Sequence, residues 1–151
     1  MNFSEEIAFF NQSCNTKEEA LKKLADEFLI KGLVKDTFFQ AVIDREKIYP
    51  TGLSINGIGI AIPHTDGIHI IKPQIGFMNL KEPVIFKDMV DDKHEIEVKI
   101  IFMLGLLKSE HQIEVLQKLI GLFQNEALLK EVIDCKNIDE FNIIMKKANI
   151  D

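Results

Sequence analysis

The sequence predicts a single α/β domain over residues 1–151, in which helices cover a buried β-sheet in two or three layers. Three observations support this prediction. A chain of 151 residues that is 46% hydrophobic and 28% charged can fill one core without disulfides or metals. Apolar residues recur at helical spacing in the first and last thirds, whereas the middle third carries short β-branched runs.

The first third is predicted to form two helices. Thr16 and Glu19 have the spacing of an N-terminal capping box, and Gly32 is the expected residue after the last turn. A second helix is predicted to begin near residues 36–37 and to end before Pro50, which lacks an amide hydrogen. In the first helix, the apolar residues that repeat at helical spacing are Ala20, Leu21, Leu24, Ala25, Phe28 and Leu29. In the second helix, the residues expected to face inward are Phe38, Phe39, Ala41 and Val42.

The middle third is predicted to supply the strands. Residues 58–62 form a short β-branched run between a glycine and a proline, which is typical of a buried strand. Residues 74–80 are a second candidate and residues 84–86 a third. Residues 96–107 alternate and then become continuously apolar, which predicts a strand exposed at its beginning and buried at its end. Residues 91–94 are polar and predict a solvated turn.

The last third is predicted to be helical again. Ser109 and Gln112 have capping-box spacing ahead of one apolar face. Asn125 and Asn137 are the expected caps of two further short helices.

Composition excludes several classes of protein. The net charge is −6, so no excess of positive charge is available to neutralise nucleic-acid phosphates. Cys14 and Cys135 show neither disulfide-scaffold nor zinc-finger spacing. The N-terminus carries acidic residues where a signal peptide needs basic ones, and the longest apolar run is far shorter than the ~20 residues of a membrane span. We therefore expect a cytoplasmic protein with reduced thiols, no nucleic-acid partner and no direct membrane insertion.

His64 is the first candidate functional residue. Pro63 ends the strand before it, so the histidine is expected at the rim of the sheet, where open α/β folds bind ligands. A neutral imidazole is a good nitrogen nucleophile near pH 7. The alternative interpretation is a turn histidine without a function.

Two further residues are candidate phosphate ligands. If Ser109 is the N-cap, His111 lies at the second helical position, among free amides that attract anions. Arg45, at the end of the second helix, can clasp a phosphoryl group with two hydrogen bonds. The alternatives are an exposed histidine at a helix start and a surface arginine beside Asp44 and Glu46.

Other chemistries have weaker support in the sequence. A metal site would have to combine histidines and aspartates that lack HExxH or HxH spacing, namely His64, His69, His94 and His111 with Asp66, Asp91 or Asp92. There is no GxSxG elbow, P-loop or GxGxxG motif. We predict no metal and no cofactor, and a metal-dependent hydrolase using His64, His69 and an aspartate is the alternative from a different class.

The run Gly57-Ile-Gly-Ile-Ala-Ile-Pro-His64 resembles the phosphorylation-site motif of enzyme IIA proteins of the mannitol/fructose type, from the bacterial sugar phosphotransferase system. The upstream segment, with Asp-Arg-Glu46 followed by Tyr-Pro-Thr-Gly52, is most similar to the galactitol branch. The resemblance covers nearly the whole chain. It implies one domain with a mixed β-sheet flanked by helices.

The resemblance also implies roles for individual residues. His64 would accept a phosphoryl group from the phosphorylated carrier protein HPr and pass it to enzyme IIB, with the membrane enzyme IIC involved indirectly. Arg45 would help to hold the phosphoryl oxygens, and His111 matches a second active-site histidine of the mannitol and fructose branches. Thr65 stands where the family usually has glycine, alanine or cysteine, so its hydroxyl would either bind phosphate or crowd the site.

The resemblance therefore implies a phosphocarrier for galactitol uptake. The alternative within the same family is a regulatory phospho-switch of the nitrogen type, which would control transporters or transcription regulators. Both functions require Arg45, His64 and His111 to converge in space.

Overall fold

A five-stranded mixed β-sheet forms the central layer of the computed structural model, which describes residues 5–150. The strands are β1 (Ile7–Gln12), β2 (Gly52–Ile55), β3 (Ile58–Ala61), β4 (Gln74–Lys87) and β5 (Glu95–Gly105). Their order across the sheet is β1-β4-β5-β3-β2. β1 is parallel to β4 and β3 is parallel to β5, whereas the other two pairs are antiparallel. Residues 1–4 of the acidic N-terminal segment, and residue 151, lie outside the described residues.

Helices cover both faces of this sheet, which makes three layers. The helices are α1 (Lys17–Ile30), α2 (Phe38–Ile48), α3 (Ser109–Gln124), α4 (Glu126–Asp134) and α5 (Ile138–Lys147). Side chains of β5 point alternately to the two faces, because successive residues of a strand point to opposite sides. Ile101 and Met103 pack with α1 and α2, while Ile100, Phe102 and Leu104 pack with the three C-terminal helices. The prediction of a layered α/β domain with a mixed sheet is confirmed.

The predicted ends of α1 are also confirmed. The Thr16 hydroxyl accepts a hydrogen bond from the amide of Glu19 at 3.2 Å. The Glu19 carboxylate reaches back to the amide of Asn15 at 2.9 Å, one residue earlier than a capping box requires. Gly32 has a positive φ of 72°, and its amide donates to the carbonyl of Leu29 at 3.0 Å. This left-handed glycine ends the helix and turns the chain toward α2.

The prediction that the first third is helical is wrong at its beginning, where residues 7–12 form β1. In the middle third, β2 is a strand additional to the predicted ones. β2 and β3 form a hairpin through Asn56 and Gly57, whose φ values of 52° and 80° are those of a type I′ turn. The Asn-Gly pair was the available signal for this hairpin. Residues 74–80 and 84–86 form one strand, β4, with an irregular register between Asn79 and Val84.

Asn79 connects β1, β4 and the end of α4. The residue is only 4% exposed. Its side-chain oxygen accepts from the amide of Asn11 at 2.7 Å. Its side-chain nitrogen lies within hydrogen-bond distance of the carbonyl oxygens of Val132 at 3.2 Å, Ile133 at 3.3 Å and Cys135 at 2.9 Å. The Asn79 side chain therefore binds backbone carbonyl groups at the end of α4, which have no hydrogen-bond donor within the helix.

An Asn79→Ala variant is expected to lower the free energy of unfolding by about 2 kcal/mol, because buried backbone groups lose their partners. Urea unfolding followed by circular dichroism measures the change. Asn142→Ala is the matched control, since Asn142 is exposed and makes one surface hydrogen bond to Glu6. Equal destabilisation by the two substitutions would contradict the role given to Asn79.

Candidate active site

A cleft of about 520 Å³ opens between the end of α2, the beginning of β2 and the loop that joins β4 to β5. It brings together one cation, one imidazole, two carboxylates and several apolar side chains. The residues that line it are Arg45, Ile48, Tyr49, Pro50, Thr51, His64, Met89, Val90, Asp91 and Asp92. The structure thus places two of the predicted site residues, Arg45 and His64, in one cleft.

The backbone around His64 is held on both sides. β3 ends at Ala61, but the chain continues beside β5, and the Pro63 carbonyl accepts from the amide of Leu104 at 3.0 Å. The carbonyl of Thr65 accepts from the side-chain amide of Gln112 at 3.1 Å. His64 therefore lies just past the carboxyl end of a strand, at the rim of the sheet, as its position after Pro63 predicts.

The hydrogen bond of the His64 ring determines which nitrogen is available for chemistry. Nδ1 lies 2.8 Å from the carbonyl oxygen of Ile62. A carbonyl only accepts, so Nδ1 carries the hydrogen and donates it. Nε2 makes no hydrogen bond within residues 5–150, and it is not among the buried atoms that lack a partner. The Nε2 lone pair is therefore free to act as a nucleophile.

The surroundings of His64 favour its neutral form. Burial lowers the pKa of the imidazole below its ordinary value of 6.5 because it disfavours the charged ring. The hydrogen bond to Ile62 opposes this shift, the charge of Arg45 adds to it, and Asp66 opposes it more weakly. The net lowering keeps Nε2 unprotonated, and hence nucleophilic, at neutral pH.

Arg45 supplies the positive charge of the cleft. It lies in the last turn of α2, and the centre of its guanidinium stands 5.2 Å from the centre of the Tyr49 ring. This cation–π contact orients the side chain without using its hydrogen-bond donors. Within residues 5–150, Nε of Arg45 is the one buried side-chain polar atom without a partner. Arg45 also lines the cleft, so its charged guanidinium is suited to bind an anion that enters there.

The placement of His111 differs from the prediction. The helix begins at Ser109, and Lys108 is the N-cap because its backbone is extended and its carbonyl accepts from the amides of His111 and Gln112. The prediction of a Ser109 cap, with a free amide at His111, is therefore wrong. His111 is half-buried and is not among the residues that line the cleft. Gln112 next to it contacts Thr65, so the beginning of α3 adjoins the histidine loop.

Thr65 is largely enclosed by the protein. The residue is 5% exposed, and its carbonyl holds the contact to α3. It does not line the cleft. The two readings of its hydroxyl, as a phosphate ligand or as a group that crowds the site, stay a prediction.

Sequence reasoning missed a buried polar pair at the cleft, Glu46 and Thr51. Glu46 is 3% exposed and accepts two hydrogen bonds from Thr51, both at 2.8 Å. Burial raises the pKa of the Glu46 carboxyl, while the two bonds from Thr51 lower it. The available signal was spacing, because Glu46 lies four residues after the buried Val42 and so on the inner face of α2.

The other histidines do not assemble with His64 into a metal site. Among residues 5–150, no three His, Cys, Asp or Glu side chains are placed to hold a metal ion. Nδ1 of His69 is hydrogen-bonded to the Thr37 hydroxyl at 2.7 Å instead. In the same part of the chain, no helix has the length and apolar character needed to cross a membrane.

Comparison with known proteins identifies the family. The model of the family described as "Phosphoenolpyruvate-dependent sugar phosphotransferase system, EIIA 2" matches residues 1–148. The galactitol-specific EIIA component of Escherichia coli K12 is 32% identical over 117 residues, which cover 78% of this chain and 77% of that protein. The mannitol-specific enzyme IIA component of Staphylococcus aureus MRSA252 is 28% identical over 148 residues, covering 97% and 96%.

A solved structure agrees with these sequence matches. The complex of enzyme IIA and phosphorylated enzyme IIB for mannitol from Escherichia coli aligns with a TM-score of 0.79 and 25% identity, covering 97% of this chain and 98% of that one. The fold and the family model together define an enzyme IIA protein of the second type. The chain belongs to this family and is a phosphotransferase component of a sugar phosphotransferase system.

Proposed function

We propose that this chain is a cytoplasmic phosphocarrier that accepts a phosphoryl group from phosphorylated HPr on Nε2 of His64 and passes it to enzyme IIB. The single observation that carries the proposal is the ring geometry of His64. Nδ1 is engaged by the Ile62 carbonyl, and Nε2 carries a free lone pair in a cleft that also holds Arg45.

The transfer needs a nucleophile that is also a good leaving group, and imidazole is both. The Nε2 lone pair forms the new bond to phosphorus, while the bond from phosphorus to the donor's ring nitrogen breaks and its electron pair returns to the donor. The second transfer repeats this exchange, with a cysteine sulfur of enzyme IIB as the attacking atom. Catalysis then consists mainly of positioning and charge stabilisation.

Arg45 is suited to stabilise the charge of the transferred group. Arg45 lines the same cleft as His64, so its guanidinium is placed to donate hydrogen bonds to phosphoryl oxygens there. His111 is proposed as a second histidine near this group, on the strength of the family resemblance. Its position in the first turn of α3, beside the contact between Gln112 and Thr65, is compatible with that role.

The rim of the cleft is suited to contact with other proteins. Apolar side chains stand exposed there, with exposed fractions of 67% for Ile48, 62% for Tyr49 and 90% for Val90. Asp91 and Asp92 add negative charge beside them. A partner with an apolar centre and a basic rim would complement this surface. The related mannitol protein forms a complex with phosphorylated enzyme IIB, which supports enzyme IIB as a partner here.

We further propose galactitol as the sugar whose uptake this carrier serves. The support is the 32% identity to the galactitol-specific component of Escherichia coli K12 and the resemblance of the Arg-Glu and Pro-Thr-Gly residues of this chain to that branch. Enzyme IIC, the membrane component, would take part only indirectly, through enzyme IIB.

A reconstituted phosphorelay tests the proposal. Incubation with labelled phosphoenolpyruvate, enzyme I and HPr is expected to give a phosphoprotein that is labile in acid and stable in base. Adding enzyme IIB proteins of the galactitol, mannitol and fructose branches separately is expected to discharge the label fastest with the galactitol protein. A chain that takes up no label would contradict the proposed function. Label that no sugar-specific enzyme IIB removes would favour the regulatory alternative.

A further inference from the structure

We propose that Glu46 and Thr51 are positioning residues for His64: they fix the backbone at Ile62, whose carbonyl holds the ring with Nε2 free. This inference rests on the proposed function of His64. Neither residue carries the phosphoryl group. Their effect would pass through the backbone between Thr51 and the histidine.

The first step is the burial of a carboxylate. Glu46 is the one ionisable residue among the buried polar side chains of residues 5–150, and it is 3% exposed. A buried carboxyl group is costly unless hydrogen bonds replace its lost water. Both of its oxygens have such partners, because Thr51 donates its amide to Oε2 and its hydroxyl to Oε1, each at 2.8 Å.

The second step connects Thr51 to β3. Gly52 pairs with Ala61 in the antiparallel ladder, so Thr51 lies beside Ile62, just beyond the last ladder pair. The amide of Ile62 donates to Oγ1 of Thr51 at 3.2 Å. Because the single hydroxyl hydrogen already points to Glu46, the threonine oxygen is free to accept this bond.

The third step leads from Ile62 to the ring. The carbonyl of Ile62 accepts from Nδ1 of His64 at 2.8 Å, and this bond selects the nitrogen that carries the hydrogen. Pro63, between the two residues, has no amide hydrogen with which to anchor itself. Its carbonyl is held by Leu104 on the β5 side, so the Thr51 hydroxyl supplies the hydrogen-bond anchor on the β2 side.

Three variants separate positioning from a merely structural role. Thr51→Val keeps the shape of the side chain but removes the hydroxyl, Thr51→Ser keeps the hydroxyl, and Glu46→Gln keeps one acceptor oxygen. Thr37→Val is the matched control, because it removes a threonine hydroxyl bonded to another histidine, His69, outside the cleft. Two measurements are made on each variant: the rate of phosphoryl transfer from HPr, and the His64 tautomer from two-bond ¹H–¹⁵N correlation spectra.

In the wild type, the spectra are expected to show His64 protonated at Nδ1. Thr51→Val is expected to give a mixture of tautomers and a transfer rate roughly 10- to 100-fold lower, since a small misplacement of a reacting group has such effects. Thr51→Ser and Thr37→Val are expected to stay within about twofold of the wild type, and Glu46→Gln to fall between.

A wild-type tautomer and rate in Thr51→Val would overturn the inference. If Thr51→Val does not fold, the same two measurements on Glu46→Gln decide, and an unchanged tautomer and rate there would overturn it equally. A wild-type protein that takes up no phosphoryl group contradicts the proposed function instead, and the tautomer spectra still report whether Thr51 and Glu46 position the ring.

Discussion

A His64→Ala variant is expected to take up no phosphoryl group from HPr, a loss of at least about 10³-fold, because it removes the nucleophilic ring nitrogen that the described residues place in the cleft. The fold should survive, since His64 lies at the rim of the sheet and its side chain makes one hydrogen bond, to the local Ile62 carbonyl. Gel-based labelling from phosphoenolpyruvate measures the uptake, and far-ultraviolet circular dichroism checks the fold.

The matched control is His94→Ala. His94 lies in the exposed turn between β4 and β5, and the hydrogen bonds it makes come from its backbone. The control should be labelled at the wild-type rate. Label that persists in His64→Ala would place the phosphoryl group on another residue and end the assignment of His64.

Local signals predict the surroundings of His64 well. A β-branched run that meets a proline must stop there, so a histidine in the next position lies at the strand end whatever the order of the strands. The position of Arg45 also follows from a local signal, because Pro50 sets the end of the helix that carries it. Arg45 and His64 are brought into one cleft because Gly52 pairs with Ala61, which aligns the exit of α2 with the exit of β3.

Features that depend on distant pairing escaped prediction. β1 is an edge strand that pairs only with β4, about 70 residues later in the chain, and its short segment carries no turn signal of its own. The predicted N-cap of α3, Ser109, is also wrong by one residue. Lys108 is the N-cap because its backbone is extended, whereas Ser109 is already helical. The Glu46–Thr51 pair depends on the same hairpin register that places Thr51 beside Ile62.

An Arg45→Gln variant is expected to slow phosphoryl transfer by roughly 10²- to 10³-fold, the usual cost of removing a preorganised donor that faces developing charge. Gln retains polar atoms but not the charge or the forked guanidinium that matches phosphoryl oxygens. Stopped-assay labelling from phosphorylated HPr measures the rate. Lys47→Gln is the control, since Lys47 is an exposed cation two residues later on the same helix and does not line the cleft.

The Arg45→Gln variant is also expected to change the pH dependence of phosphoryl transfer. The charge of Arg45 lowers the pKa of His64, so its removal is expected to raise that pKa toward the ordinary value of 6.5. The neutral ring is the nucleophile, and the rate therefore falls as the pH drops below the pKa. In the wild type this fall should begin at a lower pH than in Arg45→Gln.

Two measurements test this expectation. Titration of the His64 ring by NMR over about pH 5 to 8 measures its pKa, and the pH profile of labelling measures the rate. If Arg45→Gln changes neither the pKa of His64 nor the rate of phosphoryl transfer, the guanidinium does not act on the ring or on the transferred group.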